Sequence, residues 1–235
     1  MQAHTDESIS LEIRDFAETL ERILEEGKPF HIRFFIIDED LERRIETAIT
    51  RIFERYGKPD YSGVIYTCIK ELIVNGTKAN LKRILFEKRS LRIDNEDDYL
   101  KGMLEFRNYL TAVIAASDVE ELKRRDFWVD ARFVYSPNGV RIEIINNAHI
   151  TPIEDKRLRE KLKKAMGYED ILQFYMEQGD ELEGAGMGIA LIVMLMRGIE
   201  QDPSLFRIGN THTKQTFARL EIPLSPAYVA IRQRH

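Results

Sequence analysis

The chain has 235 residues, 43% hydrophobic and 32% charged, enough for a sizeable core, and its net charge of −5 argues against a general binder of nucleic acid. A single cysteine, Cys68, excludes an internal disulfide and a cysteine-rich zinc site and fits a reducing compartment. The polar start "MQAHTDESIS" is unlike a signal peptide, and the 13 uncharged residues between Glu183 and Arg197 are too few to span a bilayer, so a cytoplasmic protein without a membrane segment is expected.

Ile13, Phe16, Leu20, Ile23 and Leu24 recur at helical spacing before a Gly27/Pro29 stop, which predicts an N-terminal helical extension within residues 1–29. "FHIRFFII" at 30–37 reads as a strand. The run that follows begins with acids, lines up Leu41, Ile45, Ile49, Ile52 and Phe53, and ends at Gly57, as an amphipathic helix does. A second helix, 64–83, carries the stripe Ile65, Cys68, Ile69, Leu72 and Ile73. Residues 81–126 are charged with patches of helical period and are expected to form a helical insertion, a surface for a partner or for a second copy of the chain.

"FWVDARFVYS" and "VRIEIINN" flank the turn residues "PNG" and predict a hairpin. Residues 153–178 are again helical. The run "EGAGMGIALIVML" at 183–195 places glycines at alternate positions before a buried helix that ends near Arg197, and "LFRIG" and "QTFARLEIPL" around "NTHTK" predict a closing hairpin. The order implies one α+β domain over residues 1–235, a sandwich with helices on one face of a mixed sheet.

The glycine run is not a P-loop, because no Lys-Ser/Thr pair follows it, and the spacing of a dinucleotide fingerprint fails at Ile189. On the 64–83 helix, Glu71, Asn75 and Lys78 form a narrow polar stripe beside the apolar face. Such a set suits a magnesium-directed oxygen (Asn75), a phosphate-directed cation (Lys78) and a base (Glu71); an exposed helix face bearing an i, i+4 polar pair gives the same pattern. Gly76 is expected to leave room there for something flat.

"KELIVNGTKAN" at 70–80 resembles the N box of the GHKL ATPases, the superfamily of histidine kinases, anti-sigma-factor serine kinases, gyrase and certain heat-shock chaperones. "EGAGMGIALIVMLMRGI" at 183–199 is similar to their G2 box, "KQTFARLEIPL" at 214–224 to their closing strand, and "VRIEIINNAHI" at 140–150 stands in the place of the G1 box. The resemblance implies a Bergerat-type ATP-binding sandwich, closest in layout to stand-alone anti-sigma-factor serine kinases. It implies that Asn75 binds magnesium, that Glu71 is the base-like catalytic residue, that Gly184, Gly186, Met187 and Gly188 frame the phosphates of ATP with Lys78, and that Thr216 lies near the adenine.

At the G1 position the run is Asn146, Asn147, Ala148, His149, Ile150, without the aspartate and glycines of the family. Strand alternation points Asn146 into the pocket, where its carbonyl oxygen is expected to accept from adenine, with an amide free to turn over for either purine and a gain in ATP binding from Asn146→Asp. None of the five histidines lies in a segment like a phosphoacceptor box, so any acceptor is expected in trans on a partner protein, with a homodimer as another assembly. The expected function is magnesium-dependent phosphoryl transfer or ATP hydrolysis in signalling; the alternative is a non-catalytic interaction module, with or without nucleotide.

Overall fold

The computed structural model describes residues 9–10, 16–111, 116–168 and 187–233. Its elements in chain order are β1 (Ile9–Ser10), α1 (Phe16–Glu26), β2 (Phe30–Phe34), α2 (Glu39–Arg55), α3 (Ser62–Lys88), α4 (Glu96–Thr111), α5 (Ala116–Arg124), β3 (Val129–Ser136), β4 (Gly139–Asn146), α6 (Pro152–Gly167), α7 (Met187–Gly198), β5 (Phe206–Asn210) and β6 (Thr216–Pro223). The sheet order is β1-β2-β3-β4-β6-β5. Strands β2 to β5 are joined antiparallel throughout, and the two-residue β1 adds parallel to β2 at the edge, so the architecture is α+β with helices against an open sheet.

Alternation divides the sheet into two unlike faces. Toward the helices point Phe30, Ile32, Ala131, Phe133, Val140, Ile142, Ile144, Ala218, Leu220 and Ile222, all in one buried cluster with α1, α2, α3 and Met196 of α7. The other face is charged. Arg33 lies opposite Asp130, Arg132 opposite Glu143, Glu143 opposite Arg219 and Arg141 opposite Glu221, so neighbouring strands present complementary charges. At its centre Asp130 is fully buried beneath His31 (2.7 Å), Arg33 (3.3 Å) and Arg132 (3.1 Å).

Helix α3 is the spine. It runs 27 residues, past the 83 expected from its first apolar stripe, because its C-terminal turns have a different partner. There Leu81, Ile84 and Leu85 join Phe106 of α4 and Leu122 of α5 in a second, smaller core. The sequence hid this extension: a helix buried on two sides in succession has no single apolar stripe. Cys68 lies in the main core, where burial pushes its thiol up to about 12, and its role is packing.

Candidate functional site

The apolar inner face of the sheet changes character at one end. Asn146 on β4 pairs with Thr216 on β6, which pairs with Asn210 on β5, so three polar side chains form a row across three adjacent strands. Asn146 and Thr216 are buried, at 3% and 9% exposure. Polar groups placed there cost free energy unless they are hydrogen-bonded, so their partners decide what the row can do.

Asn146 donates its amide to Asn80 Oδ1 (3.3 Å) and to the carbonyl of Ala148 (3.2 Å). Asn80, on α3, donates in turn to the carbonyl of Trp128 (3.0 Å), which fixes its oxygen end toward Asn146. Two acceptors therefore face Asn146 Nδ2, and the amide is not free to turn over. The indifference between purines expected from a rotating amide is not available in this arrangement, and an aspartate at 146 meets two oxygens where the asparagine has donors. Thr216 Oγ1 donates to the same Ala148 carbonyl (2.6 Å).

Residues 147–151 are held from every side. Asn147 turns the other way, accepting from Trp128 N (3.0 Å) and donating to the Asp126 carbonyl, while Asn210 makes a pair of bonds with Ile150 (2.8 and 2.9 Å) and Arg83 donates to the His149 carbonyl. The His149 side chain itself is exposed. Thr151 then caps α6 in a reciprocal box with Glu154, with Pro152 in the first turn. The glycines of a G1 box are unnecessary for this path.

Helix α3 reaches the row through Gly76 and Asn80, and its polar stripe lies beside them on the helix. Asn75 Nδ2 donates to Glu71 Oε1 (2.9 Å), which leaves its carbonyl oxygen as the side chain's acceptor, and Lys78 is half-buried one turn further on. Gly76 brings α3 close to the sheet. A methyl there would meet Val129 at 3.4 Å and Asn146 Cβ at 3.8 Å, so the space expected for a flat ligand at this position is taken by side chains of β3 and β4. Gly188, in the first turn of α7, lies against the Glu71 carboxyl so closely that any Cβ would overlap it. The carboxylate thereby sits at the positive end of that helix. Gly184 and Gly186 lie outside the described residues, and Met187 begins α7.

The stripe has a fourth member not expected from the sequence. Lys82 follows Lys78 by four residues and makes an ion pair with Glu154, which also receives Arg83 (3.0 and 2.6 Å). Burial alone would raise the Glu154 carboxyl, but the Arg83 hydrogen bond and the charges of Lys82 and Arg83 outweigh it and hold it at about 2. Burial pushes the Lys82 ammonium below its ordinary value despite the Glu154 attraction. The site's ends are thus closed by α7 at Glu71 and by α6 at Lys82. The i+4 spacing of Lys82 was its sequence signal; Asn80 and Asn210 had none, because each acts through a partner distant in sequence.

Among the described residues no group of three or more His, Cys, Asp or Glu side chains forms a metal cage. The oxygen of Asn75, with Glu71 beside it, is the donor set suited to a hard cation such as magnesium that takes its other ligands from water and phosphate. No helix among the described residues is long and apolar enough to cross a membrane.

Comparison with known proteins gives one distant likeness to report. The chain is 26% identical over 207 residues to a Treponema pallidum (strain Nichols) protein described as uncharacterized, an alignment covering 88% of this chain and 40% of that protein's length. No family model matches the chain, and no solved structure does.

Proposed function

We propose that the chain is an ATP-binding module of the histidine kinase-like (GHKL) class with a Bergerat-type nucleotide site, acting in magnesium-dependent phosphoryl transfer to a partner protein or in ATP hydrolysis. The observation that supports this reading is that α3, which bears the Glu71–Asn75–Lys78 stripe, meets the Asn146 end of the Asn146–Thr216–Asn210 row through Gly76 and Asn80.

Asn146 and Thr216 would face the base, Lys78 the phosphates, and Gly188 would bring the first amides of α7 toward them. Asn75 would hold magnesium, which supplies charge neutralisation on the phosphates when bound. Glu71 orients Asn75 by accepting from its amide, and the same carboxylate is the base-like group nearest to it. Most of the rate enhancement in such a site comes from positioning and electrostatics rather than covalent chemistry.

The test is calorimetric titration of ATP with and without magnesium into the protein and into Asn75→Ala, followed by assay for ADP release. Magnesium-dependent binding that weakens by roughly 1 to 3 kcal/mol in the variant supports the reading. Equal affinity in both proteins removes Asn75 from the site, and absence of binding in the wild-type protein discards the proposal. One observation favours the alternative of a non-catalytic interaction module. The Ala148 carbonyl already satisfies both Asn146 and Thr216, so the row is self-sufficient without a base.

A further inference from the structure

We propose that the outer face of α4 is a self-association surface on which a second copy of the chain docks antiparallel about a two-fold axis, Leu100 against Leu104 and Asp97 against Arg107. The inference is independent of the nucleotide reading. Two large apolar side chains of α4 stand in solvent, Leu100 at 52% and Leu104 at 64% exposure, while Tyr99 and Phe106 on the opposite side of the same helix are buried at 5% and 4%. The inner side is therefore complete without the leucines. Gly102, at the midpoint, presses against the Phe86 ring so tightly that a Cβ would overlap it, which seats α4 on α3 and turns the leucines directly away.

The spacing along this face is that of a helix seam. Positions 97, 100, 104 and 107 follow one another at intervals of three, four and three, all exposed on one side of α4. The occupant is a second copy because the face is complementary to itself. Leu100 and Leu104 are equidistant from Gly102, and so are Asp97 and Arg107. A two-fold axis over Gly102 therefore places each leucine on its counterpart and each charge on its opposite, twice, which is the isologous condition. A parallel arrangement sets Asp97 against Asp97 and is disfavoured. One helix per subunit makes an interface well below the standard size of about 1,600 Å², so a weak dimer, with a dissociation constant of roughly 10 to 100 µM, is expected.

Sedimentation velocity of the full chain, from about 1 to 300 µM, spans the transition. A concentration-dependent dimer is the expected result, and Leu104→Glu should weaken it at least about tenfold while leaving the circular-dichroism melt unchanged, since the side chain is solvent-facing. Leu104→Gln gives the same comparison without added charge. Asp97→Arg and Arg107→Asp should each weaken self-association, and an equimolar mixture of these two variants should recover dimer to the wild-type level, because every cross-pair in the mixed dimer is again between opposite charges. A wild-type chain that stays monomeric over the whole range overturns the proposal. So does a dimer indifferent to Leu104→Glu and Leu104→Gln, or a mixture of the charge variants that associates no better than its components.

Discussion

Replacing Asn146 by aspartate keeps the shape of the side chain and reverses its chemistry at two contacts. The amide now donates to Asn80 Oδ1 at 3.3 Å and to the Ala148 carbonyl at 3.2 Å, at a position only 3% exposed. An aspartate loses both bonds, worth roughly 1 kcal/mol each, and sets a carboxylate against two oxygens that Trp128 and the backbone hold in place. At pH 7 the expected destabilisation is about 3 to 5 kcal/mol, or a melting temperature lower by about 10 °C. The carboxyl titrates at a raised value in the folded protein, so the ionisation penalty is absent below about pH 4, where the unfolded chain is also protonated, and grows by up to about 1.4 kcal/mol per pH unit from there until the raised folded-state value is passed. Urea denaturation of both proteins at pH 4 and pH 7 measures this. Asn147→Asp is the control, because its oxygen keeps the bond from Trp128 N and only the donation to Asp126 is lost, a cost of about 1 kcal/mol. A variant Asn146→Asp as stable as wild type at pH 7, or an Asn147→Asp protein that suffers more, would refute the assigned orientation of the row.

Glu154→Gln should cost about 2 to 4 kcal/mol at pH 7 by leaving Lys82 and Arg83 without their carboxylate. The wild type, whose Glu154 sits at about 2, should lose that contribution as pH falls from about 4.5 through 2, so acid denaturation curves of the two proteins converge at the low end. Gly188→Ala should displace the Glu71 side chain at a cost of about 1 kcal/mol, and the same change in a Glu71→Ala background should be nearly neutral; thermal melts of the four proteins form the cycle that tests it. Thr216→Val removes a buried hydroxyl bond of 2.6 Å to Ala148 and should destabilise by about 1 kcal/mol in denaturant titration, with any nucleotide affinity changing less than in Asn75→Ala.

Much of the architecture was legible because it is written locally. Apolar periodicity located α1, α2, the start of α3 and both hairpins, and the polar stripe of α3 showed because residues four apart on a helix are neighbours. Alternation along β4 turned Asn146 inward and Asn147 outward, as its register with β6 shows. What stayed hidden depends on partners far along the chain. Asn80 meets Asn146 across 66 residues, Asn210 meets Ile150 across 60, and Arg83 meets Glu154 across 71, and no local pattern marks either member of such a pair. The space beside Gly76 was misjudged for the same reason. Its occupant, Val129, opens a strand that begins 41 positions after α3 ends, so it neighbours Gly76 in the packing and not in the sequence.

The order of strands in the sheet also dictates how the chain can reach this structure. Hairpins β3–β4 and β5–β6 close over short turns and need little loop entropy, but the central β4–β6 pairing must bring together residues from 70 positions apart, Asn146 and Thr216, to 84, Gly139 and Pro223, and the contact of His31 with Asp130 joins positions 99 apart. Such pairings slow folding, because the chain is ordered before the distant contacts reward it. The polar row straddles that late seam between β4 and β6, so Thr216→Val is expected to accelerate unfolding while leaving the refolding rate nearly unchanged in stopped-flow chevrons.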